Sequence, residues 1–365
     1  MTRLPVLFLS LCAFAASCTV YDHEVQHESS DTPIITNDIS NQKVTSIAED
    51  AQGHIWIGTF RGLNRFNVHE YQQHFCTSSE LTIPDNQVQF VYKDSKDRLW
   101  VSTVNGLALY TEQDNFIRIP METLSRNGMQ ILETPDGVIY INTMVELARY
   151  DEESCKLVSV LSSADGKMPA AECYFSPDGK YLWFTTSTHL LKYDASTLEV
   201  IEAVALEGYV SSFDLLDEKV LWMAGAGKVY RYDLEKCEFL HTPPGLREHP
   251  IFNQAQVSSM YGFVPHVLIN TEKHGLFCYD VEADVLYQQN EQGFPFDVPD
   301  VKINCMFQDS RDNLWIGTYD QGYHVVYAYE ERFNRNNWLK SSLANKSVVA
   351  VADDSKGNLW ISTLK

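Results

Sequence analysis

One short pattern recurs along this 365-residue chain. Most copies start at an acidic turn, continue into a segment related to LWIGT and end in a segment that often begins with Gly-Leu. Successive copies lie 39 to 47 residues apart. Such a period is typical of repeat architectures and therefore restricts the fold more than any other feature. At the second position of the LWIGT segment the eight copies contain Trp56, Trp100, Tyr140, Trp183, Trp222, Leu268, Trp315 and Trp360.

Each of the first seven copies has the pattern of four short strands. Apolar and polar residues alternate before the turn, as in VTSI at residues 44–47, and after it, as in IWI at residues 55–57. Alternation of this kind is typical of strands with a buried face. Asp, Asn and Gly at the turn favour a hairpin. A third strand follows at the Gly-Leu segment, and a weaker fourth strand ends the unit; in the seventh unit we expect it at residues 332–334.

Four antiparallel strands per unit at this period predict a β-propeller. We expect an all-β protein with seven blades of four-stranded antiparallel sheet over residues 39–340, and a partial extra repeat at the C-terminus. The recurring Trp is expected to fill the space between neighbouring blades. The lack of helical patterns excludes an α/β fold. A two-sheet β-sandwich stays open as an alternative, although it would not need so constant a spacing.

The eighth copy, within residues 341–365, contains only two strands. Two strands leave an unpaired sheet edge, which exported proteins avoid. Either these strands start a second propeller, or they close the ring together with residues 33–36. We expect that removal of the chain beyond Lys340 raises solubility, whereas a loss of folding would indicate ring closure.

The first 18 residues predict export. Arg3 precedes an apolar run over residues 4–16, which is shorter than the roughly 20 residues that a membrane span needs. AFA at residues 13–15 fits a cleavage site. AASC, which ends at Cys18, resembles a bacterial lipoprotein box, and Cys18 is therefore a lipidation candidate. A buried first strand is the third alternative. Residues 19–38 are expected to form an N-terminal segment ahead of the propeller, in the periplasm or cell envelope.

Composition limits the classes of partner. The formal net charge is −21, from 49 acidic and 28 basic residues, and there is no basic run. This argues against a nucleic-acid partner, which would need clustered Lys and Arg. The eight cysteines form no C-x-x-C pair, so a zinc site is not expected. The composition is too polar for an integral membrane protein.

The repeat region of the sequence, residues 39–365, contains no recognisable catalytic motif. Its paired carboxylates recur with the repeat at the turns, so that turn capping explains them better than acid/base chemistry. In residues 39–365 the His residues form no metal-ligand spacing, and no Ser lies in a G-x-S-x-G elbow. AGAGK at residues 224–228 favours a tight hairpin over a phosphate loop, because no helix follows it. We therefore expect no enzyme activity, no cofactor and no metal.

A propeller collects its variable connections on one face, which makes that face the default ligand site. The connections between second and third strands contain aromatic, amide and charged groups that suit a sugar, whose hydroxyls need polar partners and whose apolar face stacks on a ring. Arg61, Tyr319 and Gln321 are the preferred candidates, and the connections also contain Phe60, Met144 and Glu272. The candidate ligand-binding residues are Arg61, Asn105, Glu146, Lys273, His274, Tyr319, Asp320 and Gln321.

Three segments resemble a known repeat: SIAEDAQGHIWIGTFRGLNRFN, CMFQDSRDNLWIGTYDQGYHVV and VAVADDSKGNLWIST. They are similar to the regulator-propeller repeat in the periplasmic sensor region of hybrid two-component systems, with which many glycan-degrading bacteria detect carbohydrate breakdown products. The resemblance extends over about residues 39–365. In that family two seven-bladed propellers precede a β-sandwich domain, a transmembrane helix, a histidine kinase, a receiver and often a DNA-binding domain.

The resemblance implies a non-catalytic sensing propeller that recognises an oligosaccharide and controls glycan-utilisation genes. It also implies a second propeller and a homodimer partner, and kinase activity in domains that these residues do not contain. Membrane contact would come only from a lipid anchor or from the family's transmembrane helix. The chain is thus expected to be a sensor fragment, a truncated product or a lone propeller. Two alternatives stay open: a propeller lipoprotein that acts as a protein-interaction scaffold, and a propeller lyase or glycosidase.

Overall fold

The computed structural model describes most of the chain in segments. They are residues 33–111, 113–121, 130–143, 145–166, 168–169, 171–206, 210, 212–216, 219–225, 228–247, 257–263, 265–271, 273–289, 291, 294–295, 298, 301–327, 348–353 and 359–363. No helix within these segments is long and apolar enough to cross a membrane. The leader with Cys18, the expected strand at residues 332–334, Met144 and Glu272 lie outside the described residues.

The first four blades follow each other along the chain. Their strands are β1 Ile34–Thr36, β2 Val44–Glu49, β3 Ile55–Thr59, β4 Gly62–Phe66 and β5 Tyr71–His74 in blade one; β6 Val88–Lys93, β7 Leu99–Thr103, β8 Gly106–Tyr110 and β9 Phe116–Ile119 in blade two; β10 Gln130–Glu133, β11 Ile139–Asn142, β12 Glu146–Asp151 and β13 Lys156–Ser162 in blade three; and β14 Glu172–Phe175, β15 Tyr181–Thr185, β16 His189–Asp194 and β17 Val200–Ala205 in blade four.

Three further blades and a hairpin complete the strands. They are β18 Ser212–Leu216, β19 Val220–Gly225, β20 Lys228–Asp233 and β21 Glu238–Leu240 in blade five; β22 Val257–Phe263, β23 His266–Thr271, β24 Gly275–Asp280 and β25 Val285–Gln288 in blade six; β26 Ile303–Gln308, β27 Leu314–Thr318 and β28 Tyr323–Val326 in blade seven; and the hairpin of β29 Val348–Asp353 and β30 Leu359–Thr363. The described helices are short: one 3-10 turn, Ser163–Asp165, and α1, Pro244–Arg247.

Every blade is an antiparallel meander in which consecutive strands pair. First strands of neighbouring blades pack against each other, as β2 does against β6 and β26, so that they form the inner ring of a propeller. The predicted all-β, seven-bladed fold is confirmed, with three strands described in blade seven. Gly225 pairs with Lys228, which confirms the predicted hairpin at AGAGK.

Both ends of the described chain add strands outside the four-stranded pattern. β1 pairs antiparallel with β5 and becomes a fifth strand of blade one. β29 and β30 pair with each other in a separate two-stranded sheet. Within the described residues, residues 33–36 therefore extend blade one and do not pair with the eighth copy.

Blade seven packs directly on blade one. The side-chain amide of Asn304 donates to the carbonyl of Val44 at 2.7 Å. The backbone N–H of Ser310 donates to the Glu49 carboxylate, also at 2.7 Å. Gly317 has no room for a side chain, because a Cβ there would lie 2.7 Å from Val44 Cγ1 and would also meet the Cys305 sulfur. These contacts close the ring.

The tryptophans of blades one, two, four, five and seven lie between blades, as predicted. Each packs its ring against an aromatic residue of the next blade's third strand. The ring-centroid distances are 4.6 Å for Trp56 and Tyr110, 4.9 Å for Trp100 and Tyr150, 5.3 Å for Trp183 and Tyr232, 6.0 Å for Trp222 and Tyr279, and 6.1 Å for Trp315 and Phe66.

The turn carboxylates also have a structural partner. In three blades the Asp six residues before the Trp accepts a hydrogen bond from the indole N–H. The distances are 2.8 Å for Asp50 and Trp56, 2.9 Å for Asp94 and Trp100, and 2.9 Å for Asp309 and Trp315.

Candidate functional site

The connections between second and third strands lie at the same end of the blades as the connections that lead into the first strands. Backbone hydrogen bonds join the two sets: Phe60 N–H donates to the Lys43 carbonyl at 3.0 Å, and Tyr319 N–H donates to the Lys302 carbonyl at 2.9 Å. Lys43 and Lys302 immediately precede β2 and β26. We call this end of the propeller the loop face.

A threonine near the end of the second strand anchors most of these connections. Its hydroxyl donates to the backbone carbonyl at the start of the third strand, and in most blades it also accepts an N–H from within the connection. The backbone is therefore fixed while the side chains vary. The donor bonds measure 2.8 Å from Thr59 to Gly62, 2.9 Å from Thr103 to Gly106, 3.1 Å from Thr143 to Glu146, 2.8 Å from Thr186 to His189, 2.8 Å from Thr271 to Gly275 and 2.8 Å from Thr318 to Gly322.

Ring closure brings the candidates of blades one and seven into neighbouring connections. The N–H of Gly322, at the end of the blade-seven connection, donates to the carbonyl of Gln42 in blade one at 2.8 Å. Arg61, Asp320 and Gln321 are all exposed there. These residues, with Tyr319, form the part of the loop face where the predicted site residues come together.

Two exposed rings and two lysines form a cluster at this junction. Lys43 Nζ lies 4.4 Å from the ring centroid of Phe60 and 4.4 Å from that of Tyr319. Lys302 Nζ lies 4.8 Å from the same Tyr319 ring. Phe60 and Tyr319 are each 44% exposed. We call Lys43, Phe60, Lys302 and Tyr319 the aromatic-lysine cluster.

The other predicted candidates lie elsewhere on the loop face. Asn105 donates its side-chain amide to the Asp85 carboxylate at 2.6 Å, in blade two. Glu146 is half-buried at the start of β12. Lys273 and His274 are exposed in blade six. No contact described by the structure joins these four residues to the aromatic-lysine cluster.

Sequence reasoning missed Lys43, Lys302 and Asp85. Ligand residues were expected only in the connections between second and third strands, whereas these three residues lie in the connections that enter a blade. Their position just before a first strand was the available signal, because those connections reach the same face of a propeller.

A second polar group lies on the inner ring and was also missed. In blade four the Tyr174 hydroxyl donates to Glu172 at 3.0 Å. In blade five Asp214 accepts the backbone N–H of Gly262 from blade six. Burial raises the pKa of the Asp214 carboxyl to about 6, and the charge of Glu172 adds to this rise. Glu172 is exposed by its accessible surface, yet desolvation by the surrounding protein raises its pKa too.

The described grooves lie away from the candidates. One of 680 Å³ runs between blades three and four along β13, β16 and β17, and another of 510 Å³ lies between the turns of the same blades. Neither is lined by a predicted ligand residue. Among the described residues no group of three or more His, Cys, Asp or Glu side chains could hold a metal ion.

A family model called two component regulator propeller matches residues 38–61, 82–105, 297–320 and 342–365. Each match runs from before the first strand of a copy to the connection after its second strand, in units one, two, seven and eight. The chain carries two-component regulator propeller repeats. The matched segments contain Lys43, Phe60, Arg61, Asn105, Lys302, Tyr319 and Asp320.

Solved structures share the fold of this chain. One is the extracellular domain of the putative hybrid two component system BT3049 from B. thetaiotaomicron, with 20% identity, a TM-score of 0.63, and 90% of this chain and 46% of that chain covered. The corresponding domain of BT4673 from the same organism shows 18% identity, a TM-score of 0.63, and coverage of 78% and 40%. The chain thus spans less than half the length of these two domains. No curated protein sequence matches it.

The same fold also occurs in an enzyme. Virginiamycin B lyase from Staphylococcus aureus shows 14% identity and a TM-score of 0.59, with 80% of this chain and 97% of that chain covered. Since all these identities are low, the structural likeness establishes the propeller fold alone, and function has to be argued from the site.

Proposed function

We propose that this chain is a non-catalytic, extracytoplasmic ligand-sensing propeller of a two-component regulatory system. The regulator-propeller repeats and the likeness to extracellular domains of hybrid two component systems support a sensor role. The observation that carries the proposal is the loop face: a threonine-anchored backbone presents side chains that differ from blade to blade, as a binding surface requires.

The ligand we propose is an oligosaccharide. Phe60 and Tyr319 expose apolar ring surface, and Arg61 and Gln321 supply hydrogen-bond donors on the adjoining connections. Sugars are bound by this combination of aromatic rings and polar groups. In this proposal binding regulates glycan-utilisation genes through a kinase and output domains, with a second propeller and a homodimer partner completing the sensor.

The location we propose is the periplasm or cell envelope. The leader predicts export, and the similar solved structures are extracellular domains. Cys18 is the residue that would be lipidated if the protein is anchored by its leader.

Calorimetry and thermal shift with a panel of oligosaccharides test the proposal on a chain that starts at residue 19. A glycan that raises the unfolding temperature and is recovered uncleaved supports sensing. Cleavage of the glycan would instead support a lyase or glycosidase, and a panel without any binder would favour the scaffold alternative. Phe60→Ala is expected to weaken binding about tenfold. The matched control is Phe239→Ala on β21, because Phe239 is also 44% exposed.

A further inference from the structure

Lys43 and Lys302 lie beside aromatic rings without a neutralising carboxylate. Within the described residues neither ammonium group has an Asp or Glu oxygen within 4.0 Å. Asp320 is exposed on the blade-seven connection and makes no ion pair with them. This is unexpected in a chain with 49 acidic and 28 basic residues.

Two of the cations at the inter-blade tryptophans behave differently. Arg65 lies over the Trp56 ring and pairs with Asp114 at 3.2 Å. Arg98 lies over the Trp100 ring and pairs with Asp94 at 2.6 Å. Arg65 and Arg98 are therefore both stacked and neutralised. The two lysines of the loop face are stacked without a carboxylate within 4.0 Å among the described residues, as are Lys192 near Trp183 and Arg231 over Trp222.

The aromatic rings hold the ammonium groups but leave their charge intact. A cation over a ring face is attracted by the ring quadrupole, which carries no net charge. Two ammonium groups beside one Tyr319 ring also repel each other. An anion that contacts both would remove this repulsion and form charge-assisted hydrogen bonds. Arg61 is exposed on the connection that follows Phe60 and adds a third positive group.

We propose that the aromatic-lysine cluster binds the acidic group of an anionic oligosaccharide, a carboxylate or a sulfate, between Lys43 and Lys302. The exposed parts of Phe60 and Tyr319 contact the sugar ring that carries this group. The inference rests on the proposed sensing function and narrows its ligand to a chemical class.

Matched probe pairs test the charge requirement. Trigalacturonate and its methyl ester differ only in the carboxylate, and a sulfated disaccharide with its desulfated form tests the sulfate. We expect the protein to bind at least one acidic probe about tenfold or more tightly than its neutral partner, by calorimetry in low salt. The preference should shrink as salt rises. The probe pair that shows this preference for the acidic form identifies the acidic group as a carboxylate or a sulfate.

Variants locate the site. Lys43→Gln and Lys302→Gln should each weaken binding of the acidic probe about five- to tenfold and leave the neutral probe unaffected, while Lys43→Arg retains most of the preference. Lys156→Gln on β13, an exposed lysine far from the cluster, is the control and should bind like the parent. Unchanged unfolding temperatures show that the variants are folded.

The outcomes separate this inference from the broader proposal. If neutral oligosaccharides bind as tightly as acidic ones, or if the glutamine variants keep the preference, the inference is overturned while sensing of a sugar stands. If no acidic or neutral oligosaccharide binds, both the inference and the proposed function fail.

Discussion

The Asp residues that precede the inter-blade tryptophans satisfy several buried donors at once. Asp94 is 2% exposed. One oxygen accepts the backbone N–H groups of Lys96 at 3.0 Å and Arg98 at 2.8 Å. The other accepts the indole of Trp100 and the guanidinium of Arg98. A buried carboxylate is tolerated only with such partners, and here it joins a turn to the packing between two blades.

Substitution of Asp94 by Ala should therefore be costly. It leaves a buried indole N–H and two backbone N–H groups without acceptors, and we expect a loss of about 3 kcal/mol in the free energy of unfolding. Urea denaturation measures this loss. Asp97→Asn in the same turn is the control, because the Asp97 side chain is 62% exposed and its ion pair with Lys93 contributes less than about 1 kcal/mol. Equal urea midpoints for the two variants would contradict this role.

Two tryptophans show what happens where the acceptor is missing. In the part of the chain that the structure describes, the indole N–H groups of Trp183 and Trp222 have no partner. The residues six positions earlier are Pro177 and Leu216, neither of which has a side-chain acceptor. The Trp ring can thus fill the space between two blades without this hydrogen bond. In blades one, two and seven the hydrogen bond from the indole N–H to Asp is present in addition to the ring packing.

Elements were predictable from the sequence where the signal is local. The period, the alternation and the turn residues predicted the second strand at Trp56 and the third strand at Gly62, because these patterns reflect burial and hairpin chemistry within one blade. The anchoring role of Thr59 was not predicted, since a Thr at a strand end has no distinctive spacing. Lys43 and Tyr319 meet only through ring closure, which no local pattern encodes.

The first strands are linked around the ring by side chains. A first strand has no backbone hydrogen-bond ladder with the first strand of the next blade, so polar side chains form the hydrogen bonds between neighbouring blades. Ser46 accepts the N–H of Val91 at 3.1 Å, and the Tyr261 hydroxyl donates to the Asn304 carbonyl at 2.9 Å. Asp214 on β18 belongs to this set but is ionisable, and its raised pKa makes that link sensitive to pH.

Asp214 should destabilise the fold at neutral pH. Its folded pKa of about 6 lies above the ordinary 3.8, so its stabilising contribution is complete below about pH 4 and is lost as pH rises through 6. Tyr174 and Glu172 on β14 and Tyr261 on β22 are the ionisable groups facing it. Asn keeps an acceptor for Gly262. We expect the free energy of unfolding of Asp214→Asn to exceed that of the parent by about 1–2 kcal/mol at pH 7.5 and to be nearly equal to it at pH 4. A difference in the free energy of unfolding between variant and parent that does not change with pH would contradict this role.

At the scale of the whole molecule, the ring brings distant parts of the chain together to build the loop face. Blade one and blade seven contain the aromatic-lysine cluster, and the same junction holds the hydrogen bonds of Asn304 and Ser310 that close the ring. Tyr71 and Tyr323 add a hydroxyl contact between the outer strands. The proposed ligand site therefore forms only when blade seven packs on blade one and closes the ring.

Because all these closing contacts lie within residues 33–327, the eighth copy should be dispensable for the fold. A chain of residues 19–340 is expected to unfold cooperatively within a few degrees of the 19–365 chain. It should also be more soluble, because the unpaired strand edges of the two-stranded β29–β30 sheet are gone. Thermal unfolding followed by circular dichroism measures both chains. A chain of residues 19–300 is the control: it lacks blade seven, exposes the faces of blades one and six, and should lose its cooperative transition. Loss of that transition already in the 19–340 chain would show instead that the eighth copy supplies strands to the ring.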